Sequence, residues 1–139
     1  MRFLHLSDLH LGKRVCEFSM LDDQRYILEE ILSLLNTRPV DAVLLAGDLY
    51  DKPVPPAEAV RLLDWFLTEL ADRKLPVFAI SGNHDSAERV AFGAHLLAGS
   101  QVYVSPVFEG APAPIPLTDA YGPVDIYLLP FLKPAMVRH

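Results

Sequence analysis

Three short segments of this chain combine residue types that can ligate a metal ion: Asp8-Leu9-His10, Gly47-Asp48 and Gly82-Asn83-His84-Asp85. Carboxylate, imidazole and amide oxygen together suit divalent cations of hard to borderline character, such as Mn²⁺, Fe²⁺ or Zn²⁺. Singly, each segment is ordinary. An aspartate after a strand commonly caps the next helix, and a lone histidine is more often a packing or surface residue than a ligand. Jointly they carry more weight, because each of the three follows a predicted strand, and capping alone does not produce that order of residue types.

The elements that must position these residues alternate along the chain. Phe3-Leu4-His5-Leu6 has the length of a short strand and ends in Ser7-Asp8. Apolar residues then recur at helical spacing from Met20 to Leu35, which predicts an amphipathic helix. Val40 to Ala46 reads as a buried strand closed by Gly47-Asp48. After the proline-bearing loop Lys52 to Pro56, a second helix is expected over Ala57 to Arg73, with Val60, Leu63, Leu67 and Leu70 on its buried stripe. Val77 to Ile80 is a third strand, Ser81 to Asp85 a loop, and Ala87 to Leu97 a third helix. This βαβαβα order predicts an α/β fold with a mainly parallel sheet and helices packed on it. In such a sheet the loops at the carboxyl ends of the strands gather on one edge, so the three segments converge on one site. Past Gln101 the texture changes to short β-like pieces, Val102 to Val104 and Val124 to Leu129, predicting a hairpin or sheet edge. Pro112, Pro114 and Pro116 make the Gly110 to Pro116 stretch an edge or loop.

Composition narrows the class without naming a function. The chain has 139 residues, 51% hydrophobic and 22% charged, the balance of one domain with a single core. Its net charge of -6 argues against a self-sufficient nucleic-acid binder, since duplex affinity rests on basic side chains neutralising phosphates. No apolar run reaches the roughly 18 residues of a membrane span, so the expectation is a cytoplasmic protein with no membrane partner. The single cysteine, Cys16, has no second cysteine for a disulfide or a thiolate site.

The blocks Ser7-Asp8-Leu9-His10, Gly47-Asp48-Leu49-Tyr50-Asp51 and Gly82-Asn83-His84-Asp85 resemble those of the calcineurin-like metallophosphoesterases. The resemblance implies that Asp8 and His10 bind a first metal and Asn83 a second. It makes Asp48 the bridge between them and turns His84 toward the scissile phosphate. In that chemistry two cations about 3.5–4 Å apart acidify a water and neutralise phosphoryl oxygens during in-line attack. A bridging carboxylate offsets the repulsion between the ions, and the histidine serves the leaving oxygen if a second group fixes its ring. In related phosphatases an aspartate three positions after the bridging ligand does this, and here that position is Asp51.

Within the superfamily, Lys52-Pro53 after Asp51 and Ser81 before Gly82 depart from the protein-phosphatase pattern. The stretch Phe3 to Lys13, Pro55-Pro56-Ala57-Glu58-Ala59 and Asn83 to Arg89 are instead similar to SbcD-type nuclease subunits, relatives of the Mre11 recombination nucleases. That similarity implies Mn²⁺-dependent exonuclease and endonuclease activity on DNA ends, a homodimer, and a partner ATPase of the SbcC-like SMC type. It also implies further histidines in a downstream Gly-His-x-His block. After His84 only His95 and His139 occur, and neither matches that block. The expectation is therefore the N-terminal half of a nuclease domain, lacking the later ligands, the accessory DNA-binding region and the ATPase-binding tail, with little or no activity alone. Two alternatives stay open: a phosphodiesterase or phosphatase acting on a small nucleotide, and a non-catalytic dimerisation module built on the two long helices.

Overall fold

A short strand β1 (Phe3–Leu6) opens the chain and is followed by a two-residue hairpin, β2 (Arg14–Val15) with β3 (Phe18–Ser19). Helix α1 (Leu21–Thr37), strand β4 (Ala42–Ala46), helix α2 (Ala57–Asp72) and strand β5 (Val77–Ile80) come next. Two short helices, α3 (Ala87–Val90) and α4 (Ala94–Ala98), lead to β6 (Val102–Val104). The chain continues through β7 (Ile115–Asp119), β8 (Gly122–Ile126) and α5 (Pro134–Val137). This computed structural model describes residues 1–137, and His139 lies outside the described residues.

β1, β4, β5 and β6 form one parallel sheet in the order β1-β4-β5-β6. Alternation along these strands sends side chains to two different layers. Leu4, Leu6, Val43, Leu45, Val77, Ala79 and Val102 face the helices, packing on Leu28, Leu32 and Leu35 of α1 and on Leu62, Leu63, Phe66 and Leu70 of α2. Ala42, Leu44, Phe78, Ile80 and Tyr103 face the other way and are covered by Ile115, Leu117, Ile126 and Leu128. The layers are thus helices, parallel sheet and the β7–β8 hairpin, the α/β arrangement that the alternation of elements predicts.

Three expectations change in detail. The single helix over Ala87 to Leu97 is two helices, broken by a turn at Ala91–Gly93 where Gly93 takes φ +75°. On α2 the buried stripe is rotated: Ala59, Leu62, Leu63, Phe66 and Leu70 are buried, while Val60 is exposed. Ala59 packs against Gly12, where a Cβ on the glycine would lie 3.1 Å from the alanine Cβ. The last expected strand ends at Ile126, and its partner is Ile115–Asp119, which begins in the last two residues of the proline-bearing stretch. Pro116 is tolerated because a two-stranded hairpin is all edge and its missing N–H need not serve a further strand. No helix among the described residues is long and apolar enough to cross a membrane.

Candidate metal centre

Because β4 lies between β1 and β5, the loop after β4 lies between the other two candidate loops. Asp48 therefore stands in the middle, with Asp8 and His10 from the β1 loop on one side and Asn83 and His84 from the β5 loop on the other. The β1 and β4 loops continue side by side beyond the strands. The amides of Asp8, His10 and Leu11 donate to the carbonyls of Gly47 (3.2 Å), Asp48 (2.9 Å) and Leu49 (2.9 Å), and Asp51 N–H donates to Leu11 (3.2 Å). The β5 loop is tied in by its own contact, since His84 N–H donates to Asp48 Oδ1 at 2.9 Å.

Backbone conformation aims the side chains inward. Asp8 (φ 56°), His10 (φ 45°) and Asp48 (φ 49°) all occupy the left-handed region that L-residues avoid. Each costs about 1 kcal/mol or more, and such conformations persist only where surrounding contacts hold them. Gly82 allows the closest approach: a Cβ there would lie 2.1 Å from Asp48 Oδ1. Position 82 has no room for any side chain.

His10 Nε2 lies 3.8 Å from Asp8 Oδ1 and 3.9 Å from Asp48 Oδ2. Its Nδ1 is buried, has no hydrogen-bond partner, and faces Asp51 Oδ1 at 3.6 Å. Single ligand atoms of His10, Asp48 and His84 all come within 4.8 Å of one another. The rings of His10 and His84 meet edge to face with centroids 4.8 Å apart. Asn83 lines a small cleft with Asp48, Gly82 and the Leu129–Phe131 segment, whose Phe131 N–H is held by the Ser81 carbonyl at 2.9 Å. Asp8 is exposed, one of its oxygens taking the Ser7 hydroxyl. The contact to the His84 ring comes from the main chain of Asp51, whose carbonyl lies 3.1 Å from Nδ1, while the Asp51 carboxylate turns to His10. A carbonyl only accepts, so Nδ1 carries the proton and Nε2 is left for chemistry. His95 stands apart on α4, and Cys16 is exposed on the β2–β3 turn.

A sequence model of the calcineurin-like phosphoesterases matches residues 1–130. The chain belongs to that family. It is therefore a metal-dependent phosphoester hydrolase by kind, and the chemistry of its donor set agrees. Three carboxylates, Asp8, Asp48 and Asp51, surround one imidazole, and without a countercharge they repel one another. His10 Nε2 faces the gap between Asp8 and Asp48, so the ring offers a nitrogen donor beside two carboxylate donors. The residues present fit divalent cations.

Two residues that organise this phosphoesterase centre carry no sign of it in the sequence blocks. Asp85 takes the amides of Leu49 (3.0 Å) and Gly82 (2.8 Å) on Oδ2 and that of Tyr50 (2.8 Å) on Oδ1, so one carboxylate binds the β4 loop to the β5 loop. Gln24, on α1, reaches the β1 loop from below. Position 85 closes a block otherwise read for ligands, and an aspartate before Ser86 suggests helix capping; the cap of α3 is in fact Ser86, whose hydroxyl accepts from Arg89 N–H.

Burial, with the Asp85 and Asp64 carboxylates nearby, pushes the Tyr50 phenol up to about 12 from an ordinary value near 10. A phenol whose folded pKa is raised stays protonated while the unfolded chain ionises, so stability falls as pH rises from about 10 toward 12. Tyr50→Phe is expected to flatten that decline, with little change at pH 7. Urea denaturation at pH 7 and at alkaline pH measures it, and an equally steep decline in the variant would contradict the assignment.

Proposed function

We propose that this phosphoesterase is a Mn²⁺-dependent DNA phosphodiesterase of the SbcD type, cleaving at DNA ends as a homodimer with an SMC-type ATPase partner. The observation that supports hydrolysis is the placement of Asp48 between Asp8 and His10 on one side and Asn83 and His84 on the other. The choice of DNA rests on the resemblance of the stretches Phe3 to Lys13, Pro55 to Ala59 and Asn83 to Arg89. The net charge of -6 agrees with a subunit that delegates much of its hold on DNA to a partner.

Asp8, His10, Asp48 and Asn83 would hold the cations, with Asp48 shared between them. Divalent ions bound there supply positive charge against the phosphoryl oxygens and make water a stronger nucleophile. The chain's own residues do the rest. His84, with Nδ1–H held by the Asp51 carbonyl, presents Nε2 to the leaving oxygen; when Nε2 is protonated as well, the imidazolium can deliver that proton or stabilise developing charge. Asp51 places its carboxylate 3.6 Å from His10 Nδ1, adding negative charge beside the ring without hydrogen-bonding to it. Leu129, Pro130 and Phe131 form one wall of the cleft beside Asp48 and Asn83.

The test is a substrate comparison with the gene product. End-labelled duplex DNA, phosphomonoesters and cyclic nucleotides are each incubated with Mn²⁺, with and without a chelator. Chelator-sensitive release of nucleotides from DNA ends is expected. Turnover of a cyclic nucleotide with DNA left intact would replace this reading by a small-nucleotide phosphodiesterase.

A further inference from the structure

We infer that Gln24 is a positioning residue for the metal centre, setting the main chain of the Asp8–Gly12 loop so that His10 faces Asp8 and Asp48. This rests on the reading of Asp8 and His10 as metal ligands.

The β1 loop needs an external hold. Asp8 and His10 take φ of 56° and 45°, and Gly12 takes 87°, so its path is one the chain does not choose unaided. The neighbouring β4 loop supplies acceptors for the amides of Asp8, His10 and Leu11, while the Leu9 carbonyl and the Gly12 amide have no main-chain partner there and the His10 carbonyl accepts only from Lys13 N–H at 3.0 Å. Gln24 meets all three. Its Nε2 donates to Leu9 O at 3.1 Å and to His10 O at 2.8 Å, and its Oε1 accepts from Gly12 N–H at 3.0 Å. Only a carboxamide carries two N–H donors and an acceptor on one rigid plane, so neither a carboxylate nor an apolar isostere can replace it.

Gln24 is itself fixed. It lies in the first turn of α1, its amide donating to Met20 O at 2.8 Å. One turn further, Leu28 is buried in the main core, as are Leu32 and Leu35. The carboxamide therefore transmits the position of a core-anchored helix to a strained loop. It touches neither ligand atom, and acts through the His10 backbone.

Gln24→Met removes the polar contacts at nearly constant volume, and Gln24→Ala removes them with the side chain. Mn²⁺ affinity is measured by calorimetry, melting temperature without metal, and turnover across a Mn²⁺ series. Both variants are expected to bind Mn²⁺ about tenfold to a hundredfold more weakly, the scale on which supports behind metal ligands act. Turnover should recover in part at saturating Mn²⁺. Lower melting temperatures with wild-type Mn²⁺ affinity would reduce Gln24 to a structural role and overturn the inference. Asp48→Asn serves as the control: if it binds Mn²⁺ as tightly as wild type, the metal-centre reading itself fails. If Asp48→Asn loses Mn²⁺ and the Gln24 variants keep it, only the role of Gln24 fails. Should neither variant fold, exchange of the Gln24 carboxamide protons in the wild-type protein decides. Slower exchange when Mg²⁺ is added supports the coupling, and an unchanged rate refutes it.

Discussion

Asp48→Asn is expected to remove the rise in melting temperature that Mn²⁺ gives the wild-type protein and to cut phosphoester turnover by roughly a hundredfold to a thousandfold, the scale of losing one preorganised electrostatic partner. The substitution is close to isosteric, and its amide oxygen can still accept from His84 N–H as Asp48 Oδ1 does at 2.9 Å. Loop geometry is therefore retained and charge alone is lost. Without metal, Asp8, Asp48 and Asp51 crowd one imidazole, so removing a charge leaves the metal-free melting temperature equal to or above that of the wild type. A ligand at one hundred times its dissociation constant stabilises by about 2.7 kcal/mol, which thermal melts resolve easily. A Mn²⁺-induced shift retained in the variant would rule out Asp48 as a ligand.

Asp85→Ala is expected to be among the most destabilising single changes in the chain. The carboxylate is the acceptor for the amides of Leu49, Tyr50 and Gly82, and alanine leaves all three without it. Hydrogen bonds to charged groups contribute about 1.5–3 kcal/mol each, but water can reach part of this site. A net loss of about 3–5 kcal/mol follows, of the order found when a hydrogen-bonded network is broken. Asp85→Asn keeps an acceptor oxygen but turns an NH₂ toward an amide, and should fall between wild type and Asp85→Ala. Urea denaturation measures both. A loss below about 1 kcal/mol in Asp85→Ala would mean that the loops are held by other contacts. Metal affinity should fall with stability, because the β4 and β5 loops carry Asp48 and Asn83.

Periodicity made much of the fold legible. β1, β5, α1 and α2 lie where apolar spacing predicts them, with ends shifted by up to two residues, and β4 starts two residues later than expected. The break between α3 and α4 was not legible, because Val90, Leu96 and Leu97 continue a helical rhythm straight across Gly93. A positive φ leaves no trace in hydropathy. The burial of Ala59 in place of Val60 was equally hidden, since Ala59 packs against Gly12 from a distant part of the chain.

By itself the sequence determined which residue types end each strand, and hence a set of oxygen and imidazole donors suited to divalent cations and phosphoester chemistry. Covalent spacing dictates this: a residue just past a parallel strand lies at the sheet's carboxyl edge whatever its neighbours are. Strand order was decided only by the tertiary structure, and with it the central place of Asp48. So were the partners of the supporting groups. Whether His84 meets the carboxylate or the carbonyl of Asp51, and whether Gln24 or Asp85 holds a loop, depends on hydrogen bonds of 2.8–3.1 Å that form only when distant segments pack together. These join segments more than ten residues apart in sequence, a separation over which local periodicity carries no information.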